Sequence, residues 1–357
     1  MQCYMEFSRS ALVHNAESII KYVGCPVIGM VKLNGYGLSV TEAARIWLDA
    51  GAAMLGVSRP DEALSLRRDG IEADILLTAP VADTAALNSL LMERIILTVT
   101  SWENAVFYAK NCALSRFPVH IAVDTGMGRF GLRWDDIEGI KAVYSMERLM
   151  VEGVFSHFST AFGADFSSVL TQLERFTEIT DRLSADGYSV GMRHIANTAA
   201  ALRFPQTRLD AVRIGGGLLG IIGGACDVEL TRTGVLKAQV VDIKQFSAGD
   251  TVGYASICRI RKPTRAVIVA AGYADGLGYM RYPDHFSLRY LAGDALRILQ
   301  TRSRPITARF AGHNLPLIGR VGNQYTMFDA EDIRIGAGDY VELDADVLFP
   351  NRSRIID

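Results

Sequence analysis

Residues 27–39 read VIGMVKLNGYGLS. An apolar run climbs to one lysine, Lys32, then breaks into Asn34, Gly35, Tyr36 and Gly37. A short apolar, β-branched run bounded by glycines predicts a strand over 27–33, buried on both faces as in a parallel sheet. Two fates are open to a lysine at the end of such a strand. It snorkels into water, or it stays partly desolvated, with lowered proton affinity, and its amine forms Schiff bases with carbonyls such as that of pyridoxal phosphate.

Outward from this stretch the pattern repeats. Apolar runs at 52–58, 73–79, 94–100, 119–124, 151–157, 192–196 and 211–215 predict further strands. Amphipathic stretches lie between them. Val169, Leu173, Phe176 and Leu183 share one face, as do Ala43, Ile46, Trp47 and Ala50. Thr41 and Ser101 are the expected helix caps. Eight strand–helix repeats predict a closed (β/α)8 TIM-type barrel, with an open doubly wound sheet as the alternative. After about residue 230 helical periodicity fades. The runs 234–242, 266–271, 306–311, 316–321 and 339–344 predict a mostly-β domain. The expected division is 10–228 for the barrel and 229–357, with 1–9, for the β-domain.

The chain has 357 residues, 49% apolar, with a formal net charge of -2. That length suits two domains, and the charge gives no electrostatic case for nucleic acid. No apolar run approaches the ~18 residues of a membrane span. The segment MQCYMEFSRS lacks the pattern of a secretion signal. Five scattered cysteines and six histidines show no metal-ligand spacing. A reduced, cytoplasmic protein without a structural metal is expected.

In a parallel barrel, active-site groups sit at the C-terminal ends of strands. That rule gathers Lys32, Arg129 after the fifth strand, His157 ending the sixth, Asn197 and Thr198 after the seventh, and Arg213 and Gly215 in and after the eighth. Each has a plainer reading beside the functional one. Arg129 is a solvated loop charge, His157 and His194 are core histidines, Asn197 and Thr198 cap a helix, and Arg213 pairs with a barrel carboxylate. The glycines 215–217 form a tight turn or admit an anion to backbone N–H groups.

Together these segments resemble the alanine racemase family over nearly the whole chain. VKLNGYGLS is similar to that family's VKANAYGHG, and DTGMGRFG at 124–131 to its DTGMGRLG. FSHFST, HIANTAA, VRIGGGLLG and VGYASI follow in the family's order, then GYADG at 272–276 and GRVGNQ at 319–324. The resemblance implies a pyridoxal 5'-phosphate enzyme that racemises a small amino acid, most simply alanine, as a cytoplasmic homodimer with shared active sites. Lys32 would carry the cofactor and act as one base. Tyr254 of the partner subunit would be the other. Tyr36, Thr198 and Gly215 would bind the phosphate, with Asn197 beside them. Arg213 would face the ring nitrogen, with His157 supporting it. Arg129, Asn323 and Gln324 would hold substrate.

Four departures accompany the resemblance. Ala122 stands where the family often has a carbamylated lysine that orients the arginine. Leu219 and Ile356 replace tyrosines. MDQ becomes Asn323-Gln324-Tyr325 or Gly322-Asn323-Gln324. The alternatives they raise are a serine or broad-specificity racemase and a catalytically impaired relative. A decarboxylase of the same barrel type is disfavoured by GYADG and VGYAS.

Overall fold

The computed structural model describes residues 2–163, 166–222, 224, 226–278, 306–345 and 353–357. The chain divides into two compact units, Arg9–Thr233 and Met1–Ser8 with Gly234–Asp357. Residues 229–233 fall in the first unit, where Asn15 brackets Thr231. Its Nδ2 donates to Thr231 O at 2.8 Å and its Oδ1 accepts from Thr231 N–H at 2.8 Å.

In the first unit, among the described residues, eight parallel strands form the ring: Val27–Met30, Met54–Val57, Ile75–Leu77, Leu97–Val99, Phe117–Asp124, Leu149–Phe155, Met192–His194 and Val212–Ile214. Two four-stranded runs are joined by single bridges, Leu76 to Ile96 and His194 to Ala211, and the eighth strand pairs with the first. The sheet is therefore a closed barrel. Ile28, Met30, Met54, Leu76, Ile96 and Ala211 form one cluster with Tyr36 and Met192 packed against it. Strands from around the ring meet in this way only inside it.

Helices alternate with the strands and cover the outside. Ser167–Ala185 carries the expected face, burying Val169, Phe176 and Leu183 and leaving Leu173 half-buried. Ser101 caps Trp102–Asn111, its side chain accepting from Asn104 N–H. The Thr41 expectation fails. Val40–Asp49 starts two residues earlier than a Thr41 cap implies, with Ser39 at the N-cap position; its Val40 N–H donates to Asn34 Oδ1 at 3.1 Å, and Thr41 Oγ1 bonds the Asp69 carboxylate instead. The first strand is also shorter than expected. It ends at Met30, so Lys32 heads a turn.

The second unit is a β structure. Strands Thr264–Val269, Thr326–Asp329, His313–Ile318, Thr307–Phe310, Tyr340–Leu343 and Gly234–Phe246 follow one another in the sheet. The 13-residue strand closes the circle. Its start pairs with Tyr340–Leu343, and beyond an irregularity at Val240/Asp242 it pairs with Thr264–Val269. Cys3–Ser8 adds to the Gly234–Ala238 edge, and Ser353–Ile356 adds to Cys3–Ser8.

Gly29 is the tightest point of barrel-to-helix packing. A Cβ there would lie 2.5 Å from Trp47 Cγ, and Trp47 is fully buried. Gly29→Ala is expected to destabilise the protein by about 1–3 kcal/mol through overpacking, read as a lowered urea midpoint. An unchanged midpoint would contradict this packing.

Candidate active site

The turn after the first strand has an unusual hand. Lys32–Tyr36 closes helix-like hydrogen bonds, Gly35 N–H to Val31 O at 2.8 Å and Gly37 N–H to Leu33 O at 3.1 Å. Yet Leu33, Asn34 and Gly35 have φ 56, 53 and 65, and Tyr36 has φ 54. Left-handed backbone costs L-residues about 1–2 kcal/mol each, so a turn with three non-glycine members persists only where its surroundings fix it. Ser39 N–H on Asn34 O, Val40 N–H on Asn34 Oδ1 and Asn34 N–H on Glu62 Oε1 supply that support. Gly35 packs where a Cβ would come 2.9 Å from that of Ala43.

The turn leaves Lys32 half-buried. Burial first, then the charges of Arg129 and Arg213, push its amine below the ordinary lysine range, with Glu62 pulling the other way. At the other end of the turn, a Cβ on Gly215 would fall onto the Tyr36 hydroxyl. Gly215 N–H donates to Thr198 Oγ1 at 3.2 Å, leaving the Thr198 proton to be donated elsewhere. Burial raises the Tyr36 phenol, so it too remains a donor. Asn197 caps Thr198–Arg203, its Oδ1 accepting from Ala200 N–H at 3.1 Å. Its carbonyl oxygen thus serves the helix, while Thr198 faces Gly215.

Arg213 is buried, and both of its terminal nitrogens meet acceptors. Nη1 donates to His194 Nδ1 at 2.6 Å and His194 O at 3.0 Å. Nη2 donates to Ser156 O at 2.6 Å and His157 Nδ1 at 3.1 Å. The Nε–H has no partner among the described residues. The guanidinium lies 5.0 Å over the Phe155 ring, which stacks on His194 at 5.0 Å and 12°. No barrel carboxylate pairs with Arg213 among the described residues. Burial and the charge of Arg129 lower it to about 9, so it is cationic at neutral pH.

Because a guanidinium only donates, His194 Nδ1 accepts and its proton is on Nε2. That nitrogen lies 2.9 Å from His120 Nδ1. His120 therefore carries its proton on Nε2, and the chain of bonds has one polarity. Gly153 makes room for it, since a Cβ there would lie 2.6 Å from His120 Cε1. Sequence reasoning missed His120. Its signal was a histidine two residues before Ala122 and four before Asp124 in the fifth strand.

Arg129 is exposed, its guanidinium 5.8 Å from the Phe130 ring, with no hydrogen-bond or ion-pair partner among the described residues. Its loop is ordered by Asp124, whose carboxylate accepts from Gly126, Met127 and Gly128 N–H at 2.8–3.1 Å. Ala122 is buried and offers Arg129 no polar group. Buried Gln172 joins this loop to the sixth strand, donating to Thr125 Oγ1 and His157 O.

Asn323 and Gln324 belong to the other unit and are exposed. Ala274 N–H donates to Asn323 O at 3.1 Å and Tyr273 N–H to Gly322 O at 2.9 Å, which ties GYADG to GRVGNQ. Tyr254 opens a three-residue 3-10 turn in the same unit, and its side chain lies outside the described residues. Leu219 is buried in a short 3-10 helix, and Ile356 pairs across from Ser8.

The profile described as "Alanine racemase, N-terminal domain" matches residues 7–222, and "Alanine racemase, C-terminal domain" matches 234–348. The chain belongs to the alanine racemase family. An alanine racemase of Desulfosudis oleivorans is 32% identical over 356 residues, 93% of this chain and 85% of that one. The alanine racemase of Bacillus anthracis, solved with bound L-Ala-P, superposes with a TM-score of 0.80 at 30% identity, covering 96% of this chain and 85% of its own. That of Bartonella henselae, solved with covalently bound pyridoxal phosphate, gives a TM-score of 0.79 at 24% identity, covering 100% and 99%. As a member of the alanine racemase family the chain is a pyridoxal-phosphate-dependent amino-acid racemase, an isomerase acting on alanine or a related amino acid. Its own residues fit that cofactor. Two hydroxyls converge on a glycine backbone, a buried guanidinium keeps one N–H unspent, and a half-buried amine has reduced proton affinity.

The three linked histidines make stability depend on pH. Burial, then the nearby cations, hold His120 at about 4 and His157 at about 3, and His194 well below its ordinary value. Below about 6.5 the unfolded chain binds protons that the native state refuses, so stability falls with pH, by about 1.4 kcal/mol per pH unit for each histidine. The loss levels off only below the folded values. Unfolding free energies at pH 7 and 5.5 should show this fall, and His120→Gln should reduce it. An equal slope in that variant would contradict a neutral, buried His120.

Proposed function

We propose that this chain racemises alanine by two-base proton transfer at Cα, with Lys32 on one face of the substrate and Tyr254 of the partner subunit on the other. The convergence of Lys32, Tyr36, Thr198, Arg213 and Gly215 at one mouth of the barrel carries the reading. Bound pyridoxal phosphate supplies the electron sink that acidifies the Cα–H bond. Lys32 would hold the cofactor covalently until substrate displaces its amine, and Tyr36 and Thr198, with the backbone around Gly215, would hold the phosphate. Asn197 acts through the helix that carries Thr198. Arg213 would face the ring nitrogen with its unspent Nε–H and keep its proton, and His157 holds the guanidinium in place. One base takes the Cα proton while the other, protonated, returns one to the opposite face. Arg129, Asn323 and Gln324 bind or admit the substrate carboxylate.

The working unit in this reading is a homodimer with shared sites, and its compartment is the cytoplasm. Five free cysteines suit a reducing environment. No helix among the described residues is long and apolar enough to cross a membrane. A second reading concerns the substrate. Ala122 leaves Arg129 without a polar neighbour from the fifth strand, which favours acceptance of serine or larger amino acids beside alanine. Strict preference for alanine across a panel of single enantiomers would exclude it.

Lys32→Ala is expected to abolish the borohydride-reducible cofactor link, seen as loss of its visible absorbance. Tyr254→Phe should slow solvent-deuterium uptake at Cα by about 10²–10⁴-fold from one enantiomer and far less from the other. Mixing the two variants tests the shared site. Half the dimers are then mixed and each has one intact site, so about a quarter of wild-type activity should return. No recovery on mixing would refute the contribution from the partner subunit.

A further inference from the structure

Glu62 is an acidic side chain only 7% exposed, and it neither binds nor reacts in the function proposed above. It lies in the Pro60–Arg68 helix, which follows the second barrel strand, whereas Lys32 follows the first. Its Oε2 accepts from Ser58 and Arg59 N–H, each at 3.2 Å, which seats the start of its own helix. Its Oε1 reaches across to Asn34 N–H, also at 3.2 Å, inside the left-handed turn. No cation hydrogen-bonds to it among the described residues. A buried carboxylate thus serves three backbone amides on two strand–helix junctions.

The consequence follows from what the turn carries. Lys32 stands at its head and Tyr36 at its tail. Relaxation of Leu33–Tyr36 toward right-handed backbone would move the amine and the phenol relative to each other. Among the described residues, Glu62 also supplies the negative charge that acts on Lys32 against two arginines. We propose that Glu62 is a positioning residue of the active site, clamping the left-handed turn so that the Lys32 amine and Tyr36 hydroxyl keep their spacing, and acting as the countercharge to Lys32. The proposal rests on Lys32 being the cofactor lysine.

The test uses the full-length holoenzyme. Borohydride reduction and peptide mapping of the wild type first locate the pyridoxyl adduct. An adduct away from Lys32 overturns the assignment of the cofactor lysine, and with it the role given to Glu62. The cofactor is then stripped with hydroxylamine, and its reloading is followed by absorbance across pH. Glu62→Gln removes the charge at nearly constant size. It should slow reloading about tenfold, speed amide exchange at Asn34 about tenfold, and move the pH midpoint of reloading downward, since the neutral amine then persists to lower pH. Asp83→Ala, which removes the N-cap of Thr84–Met92, is the control for mere destabilisation and should move neither the midpoint nor the Asn34 exchange. Leu33→Gly, at a position 58% exposed, frees the turn from its left-handed strain and should restore most of the reloading rate when combined with Glu62→Gln. If Glu62→Gln leaves the midpoint and the Asn34 exchange at wild-type values, or if the control moves them equally, the proposal is overturned. Should Glu62→Gln fail to fold, the double variant decides. Each readout is then compared with Leu33→Gly alone: an equal midpoint and an equal Asn34 exchange rate would overturn the proposal, whereas a lowered midpoint with faster exchange would support it.

Discussion

A guanidinium buried without a carboxylate is the constraint around which the barrel is arranged. Isolated buried charge is expensive, and it is tolerated when fixed dipoles replace the lost water. Arg213 obtains its dipoles from the ends of two neighbouring strands: the carbonyls of Ser156 and His194, and the imidazoles of His157 and His194. Those strands must close in register for the acceptors to converge, so the charge and the closed ring require each other. The histidines can accept only while neutral, and burial keeps them so.

The same choice of partners leaves the barrel mouth electropositive. Lys32, Arg129 and Arg213 act on one another there, and the opposing charge that Lys32 feels comes from Glu62. A guest with a phosphate and a carboxylate meets that imbalance with the right sign. Attraction between charges in a site with low-dielectric walls is stronger than on an open surface.

Much of this architecture was legible in the sequence because the barrel strands are apolar on both faces and the intervening helices keep their period. Strand ends were harder. The run 27–33 reads as continuous, yet the chain leaves the sheet after Met30, because Asn34 and Gly35 turn left-handed and Asn34 Oδ1 takes over the start of the next helix. Handedness of that kind has no periodic signature. His120 and Glu62 escaped for another reason. Each acts through a partner far along the chain, His194 for the first and Asn34 for the second, and only three-dimensional register brings them together. Family resemblance pointed to the candidate site groups, and the residues behind them became visible only in the fold.

The first strand of the β unit joins two distant parts of the chain. Cys3–Ser8 lies between Gly234–Ala238 and Ser353–Ile356. During synthesis it leaves the ribosome about 230 residues before its first partner, an interval of roughly 10–50 s at ordinary elongation rates. Through that interval Met5 and Phe7, fully buried in the finished protein, have no sheet to enter. The Arg9–Val23 helix and the barrel it opens can form meanwhile, so a nascent chain carries an assembled barrel behind a sticky, unpaired leader, the kind of segment that holdase chaperones bind.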